Sequence, residues 1–89
     1  MTQPSTQIES KTEIIQAFIR ERFMYDRPEI ALTPDLPLIE QRLIDSLQLM
    51  QLVQFLEERF RILIDIMDLV PENFASIATM AAFVEKQKR

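Results

Sequence analysis

The chain has 89 residues, 47% of them apolar, which suffices for one small core and excludes a second domain. It contains no Cys, His or Gly. The usual zinc sites, thiol nucleophiles and Ser-His dyads therefore cannot be assembled, nor can a P-loop or a dinucleotide-binding fingerprint, so a non-enzyme is expected. The net charge of -4 leaves no basic face for a nucleic acid.

The first stretch, Met1 to Glu9, is polar and holds Pro4, so a flexible tail is expected there, followed by a single domain over 10–87. It lacks the apolar core of a secretory peptide, and no apolar run is long enough to span a bilayer, so a cytoplasmic protein is expected. Ser10 and Glu13 have the spacing of a capping box and predict the start of a first helix. Ile15, Phe18, Ile19 and Arg22 or Phe23 recur at helical spacing down to about Tyr25, while Arg20, Glu21 and Arg22 read as the solvated side.

From Asp26 to Ile44 three prolines, Pro28, Pro34 and Pro37, disfavour helix and remove backbone donors. Ile30, Leu32, Leu36, Leu38, Ile39 and Leu43 still give this stretch apolar anchors. A long loop packed onto the domain is predicted, with room for one helical turn, and loops of that length usually have a function. A second helix should run from about Ser46 to Phe60, with Leu49, Leu52, Val53, Leu56 and Phe60 as its buried face. Leu47 and Met50 fall off that face beside Gln51, Gln54 and Glu58, so they are either a local packing feature or a docking patch.

Ile62-Leu63-Ile64 reads in isolation as a buried strand, but it has no partner strand and is predicted to be an extended link filling the core. Asp65 is a candidate cap for a short third helix near Ile66 to Val70, stopped by Pro71, with Phe74 as a core anchor. Ser76 then caps a last helix whose face is Ile77, Met80, Ala81 and Val84, running to about Gln87. Lys86 to Arg89 form a basic end suited to the helix dipole.

The chemistry-bearing stretch is Asp45-Ser46-Leu47, at the point where the proline-rich loop gives way to helical periodicity. Ser46 is thereby at or next to a helix N-terminus, where unpaired N–H groups and the dipole favour a phosphodiester. A serine in that place is equally a plain N-cap. The stretch resembles the modification site of acyl and peptidyl carrier proteins. Leu56-Glu57-Glu58-Arg59-Phe60 is similar to the end of that family's second helix. Asp68-Leu69-Val70-Pro71-Glu72-Asn73-Phe74, followed by Ser76-Ile77, resembles free-standing aminoacyl carriers.

The resemblance covers about Ser10 to Lys86. It implies an all-α, four-helix bundle with a long loop between helices 1 and 2 and a short third helix. It also implies a 4'-phosphopantetheine arm on Ser46, placed there by a phosphopantetheinyl transferase from coenzyme A. Asp45 would help that transferase recognise the site, and Leu47, Met50, Gln51, Gln54 and Glu58 would contact partner proteins. An adenylating enzyme would load a small amino acid such as proline as a thioester, and downstream enzymes of a secondary-metabolite pathway would act on it, with the carrier a monomer and neither nucleic acid nor membrane as partner. Fatty or polyketide acyl groups are the alternative cargo, and an unmodified helical interaction module is the alternative function. The chain departs from the family where a glycine often stands two residues before Asp45: Leu43 is there, which predicts ordinary backbone angles in the approach to Ser46. Gln48, Gln51 and Gln54 also replace the acids common on the second helix of fatty-acid carriers, leaving Asp45, Glu57 and Glu58.

Overall fold

A computed structural model describes residues 7–87 of the chain and is helical throughout its regular elements. Four α-helices follow in order: α1 (Gln7–Arg22), α2 (Ser46–Phe60), α3 (Pro71–Phe74) and α4 (Ile77–Gln87), with a 3-10 turn at Ile66–Asp68 before α3. No strand occurs among the described residues. The all-α bundle with a long first loop and a short third helix is the architecture expected. Residues 1–6 of the expected tail, and Lys88 and Arg89 of the basic end, lie outside the described residues.

Helix α1 begins at Gln7, so Ser10 lies inside it instead of capping it. Ile15 and Ile19 are fully buried on its inner face, as their spacing requires. Phe18 is only half-buried, a correction to its expected place in the core. It stacks on Phe55 of α2 at a ring separation of 3.9 Å, under the Arg22 guanidinium 5.3 Å from its centroid. Arg20 is not simply solvated either. Its guanidinium donates to the carbonyl oxygens of Met24, Arg27 and Ile30, and so gathers the first turns of the loop.

That loop is anchored at intervals, with 25–29 and 33–35 exposed between its anchors. Leu32, Leu38 and Ile44 are buried, and Met24 at its start is too. Gln16 of α1 donates to the Leu32 carbonyl at 2.7 Å; Leu38 N–H donates to Ala75 O and Ala78 N–H to Pro34 O, each at 2.8 Å. These bonds satisfy backbone groups that the prolines leave without a regular partner. The one expected helical turn is an irregular one, in which Gln41 N–H reaches Pro37 O and Leu43 N–H reaches Leu38 O.

The end of α2 uses Glu57 twice. Its carbonyl accepts from the N–H groups of Arg61, which is left-handed at φ 58°, and of Ile62; its carboxylate accepts from Ile64 N–H at 2.9 Å. The link 62–64 is extended and unpaired, as predicted. Only Ile62 is buried, though, with Ile64 half-buried and Leu63 pointing to solvent. Asp65 caps the 3-10 turn through Met67 N–H. Pro71 does not stop a helix but opens α3 at its first turn, where its missing N–H costs nothing. Ser76 and Thr79 exchange reciprocal bonds at the start of α4. That helix buries Ile77, Met80, Ala81, Phe83 and Val84. With Leu52, Leu56, Phe60 and Phe74 these close a single core, and α4 packs on both α1 and α3. Lys11, almost fully buried, pairs with Glu85 at 2.8 Å and ties α1 to α4.

Candidate functional site

The start of α2 is built by Asp45, not by Ser46. Asp45 is extended at φ -102°, ψ -174°, and its carboxylate accepts from Gln48 N–H at 2.8 Å. The Gln48 side-chain oxygen in turn accepts from Asp45 N–H at 3.0 Å, completing a capping box. Ser46 is therefore the first residue inside the helix. Its side chain is exposed and makes no hydrogen bond within the described structure. The plain N-cap alternative for Ser46 is thus corrected: an aspartate one residue earlier already meets the helix's need.

The approach to this point is held from below. Leu38 and Ile44 are buried on either side of the turn 39–43, so the chain leaves the core at Ile44 and presents Asp45 and Ser46 outward. Within that turn Arg42 is left-handed at φ 58°. The prediction of ordinary angles is overturned: the left-handed residue is present, at Arg42 and not at position 43, and is carried by a side chain that pays a steric penalty there.

The other candidate residues fall on the outer surface of α2, but not in one place. Ser46 and Asp45 line a hollow of about 280 Å³ with Ile39, Arg42, Ile44 and Leu49. Gln51, Gln54 and Glu58 line a different groove of about 330 Å³, completed by Phe18, Arg22 and Phe55. Leu47 and Met50 line neither, and are 68% and 50% exposed, so they stand as free apolar surface next to Ser46. Gln54 donates to Glu58 at 3.4 Å. Of the three acids left on and around α2, Asp45 is exposed but engaged as the cap, Glu57 is engaged with the link, and Glu58 is exposed with only the contact from Gln54. Arg42 and Phe55 were not singled out in the sequence, and Ile39 was read only as an apolar anchor of the loop; the folded loop brings Ile39 and Arg42 to α2, and Phe55, on α2 itself, meets Phe18 of α1. Among the described residues no cluster of His, Cys, Asp and Glu could hold a metal ion, and no helix is long and apolar enough to cross a membrane.

An exposed serine hydroxyl without a partner at the first turn of a helix is accessible to an incoming group. The family described as phosphopantetheine attachment site matches residues 13–84. The chain belongs to this phosphopantetheine-attachment family. It is 35% identical over 52 residues to a protein named probable acyl carrier protein PigG from Serratia sp. (strain ATCC 39006), a match covering 58% of this chain and 60% of that protein. The chain thus spans less than two thirds of the length of this curated relative. A domain of this family is a site at which 4'-phosphopantetheine is attached. This chain's own residues fit the group: the free hydroxyl of Ser46, a helix start with a positive partial charge, and the nearby guanidinium of Arg42.

Proposed function

We propose that the protein is a cytoplasmic carrier that bears its 4'-phosphopantetheine on Ser46. The observation that supports this most is the separation of roles at the start of α2, where Asp45 caps and the Ser46 hydroxyl is left exposed and unbonded. In the modification, the Ser46 oxygen forms a bond to the phosphorus that bears the pantetheine of coenzyme A. The hydroxyl proton passes to a base of the transferase or to water, and the bond from that phosphorus to the bridging oxygen of the pyrophosphate breaks, releasing adenosine 3',5'-bisphosphate. The arm supplies a terminal thiol on which cargo is held as an activated thioester, the nucleophile that a chain without cysteine lacks. Asp45 fixes the angle at which Ser46 is shown to the transferase. Leu47 and Met50 supply apolar contact to partners, and Gln51, Gln54 and Glu58 a polar rim further along α2.

The cargo we propose is a small amino acid such as proline, loaded by an adenylating enzyme and passed to enzymes of a secondary-metabolite, nonribosomal-peptide type pathway. Two features support it. The outer face of α2 is rich in glutamine, and its acid Glu58 is met only by Gln54 at 3.4 Å, so it offers little attraction to the basic surfaces that acidic carriers serve. The segment Asp68 to Phe74 also resembles that of aminoacyl carriers, which is analogy.

Intact mass after incubation with coenzyme A, magnesium and a broad-specificity transferase tests the attachment. The wild-type chain should gain one arm and Ser46→Ala none; an arm on the Ala variant would refute the assignment. Loading the holo protein then tests the cargo: a cognate adenylating enzyme should charge it with proline or another small amino acid, and a malonyl transferase should do so poorly. Efficient malonyl loading without aminoacyl loading would make the fatty or polyketide cargo the better reading.

A further inference from the structure

The hollow beside Ser46 is more than a gap between loop and helix. Its apolar lining is Ile39, Ile44 and Leu49, and its charged lining is Arg42 and Asp45. The Asp45 carboxylate is turned to Gln48 N–H in the capping box. The Arg42 guanidinium, in contrast, has neither a hydrogen bond nor an ion pair among the described residues. Its backbone is held at φ 58°, a conformation that costs any residue other than glycine, in a chain that has no glycine to relieve it. A residue with an uncommitted cation thus lines an apolar hollow that Ser46 lines too.

Resting on the assignment of the arm to Ser46, we infer that this hollow is a resting site for the serine-proximal part of the arm, with Arg42 clasping its phosphodiester and Ile39, Ile44 and Leu49 receiving the pantoate methyls. The chemistry matches. A phosphodiester is followed along the arm by a carbon bearing two methyl groups, and the hollow is lined by one arginine and three aliphatic residues. The N–H groups of Ser46 and Leu47, which have no intrahelical acceptor, face the same charge. In a protein of net charge -4 the added phosphate is otherwise repelled, and Arg42 offsets it locally. The arm is therefore tethered at its base while its thiol end stays free, and a docking partner that covers Leu47 and Met50 meets an arm already laid toward the loop side of α2.

The test uses holo protein with a carbon-13-labelled arm, after mass has verified one arm on Ser46. Nuclear Overhauser contacts should run from the pantoate methyls to Ile39, Ile44 and Leu49, and the phosphorus-31 resonance should differ from that of a phosphopantetheinylated peptide of residues 42–50. Arg42→Asn, which keeps a residue tolerant of the left-handed region, should lose the contacts and return the resonance to the peptide value. Arg42→Lys should keep most of both effects. Raising salt on the unaltered protein should weaken the contacts progressively, which gives a readout independent of any variant's folding. A wild-type arm with no contacts and a peptide-like resonance would overturn the inference, as would contacts unchanged in Arg42→Asn, while leaving Ser46 attachment intact. A chain that accepts no arm overturns the attachment itself and this inference with it.

Discussion

At the residue scale, the division of labour between Asp45 and Ser46 carries the clearest consequence. Because the cap is the aspartate, Asp45→Ala should cost about 1 kcal/mol of stability, within the usual ~0.5–2 kcal/mol for a lost cap. Ser46→Ala removes an exposed hydroxyl without a partner and should stay within about 0.5 kcal/mol of wild type, while still abolishing arm attachment on the proposed function. Urea unfolding of the two variants beside their mass spectra separates the effects, and a larger loss for Ser46→Ala would contradict the capping geometry. The second consequence lies at the far end of α2. Arg61 ends the helix in the left-handed region, where glycine is preferred. Relief of a ~1–2 kcal/mol strain, less ~0.5–1 kcal/mol for glycine's extra unfolded freedom, leaves Arg61→Gly more stable by about 0–1.5 kcal/mol, with a midpoint of ~0.75 kcal/mol. In a domain of this size that raises Tm by several degrees, roughly 4–8 °C per kcal/mol, and a lowered Tm in a calorimetric scan would show that the Arg61 side chain makes a stabilising contact instead.

At the element scale, α2 separates its two faces by helical phase. Leu52, Val53, Leu56 and Phe60 are buried, and Leu47, Met50, Gln51 and Gln54 are exposed. Leu56→Ala should cost on the order of 2–5 kcal/mol, since it leaves a cavity under a fully buried side chain. Leu47→Ala should change stability by less than about 0.5 kcal/mol yet slow loading by partner enzymes, because exposed apolar area of this kind is used in docking. Chemical denaturation and loading rates measured on the same two variants decide it; a Leu47→Ala variant that unfolds readily and loads normally would reverse the assignment. The loop between α1 and α2 obeys the same logic in an irregular form. Its regularly spaced aliphatic residues announced that it would pack, but the residues that hold it are Gln16 and Arg20, polar side chains of the preceding helix.

For the whole molecule, one core drawn from every helix and the loop means that no part can keep its burial alone. Unfolding should be a single cooperative transition, with far- and near-ultraviolet circular dichroism coinciding. A separate early transition of α3 with the 3-10 turn would show that the region 65–76 forms its own unit. That region is where it would occur: Ile66 and Met67 are each 78% exposed, and Phe74 is the buried anchor of α3.

The sequence by itself determined the helices, the packed loop and the position of Ser46. Apolar period, proline placement and the Asp-Ser-Leu boundary are local properties, and local geometry alone turns them into helix, loop and helix start. It also determined, through missing Cys, His and Gly, which chemistries the chain cannot perform. Where two neighbours could fill one local role, it did not decide between them: Asp45 or Ser46 as the cap, position 42 or 43 as the left-handed residue, Pro71 as a stop or a start. Those choices depend on the direction in which the chain leaves the core at Ile44 and Phe60, which is set by packing between distant residues. The hollow next to Ser46 is of the same kind. Arg42 and Leu49 are seven residues apart in the chain, and only the turn between the buried Leu38 and Ile44 sets them around one space.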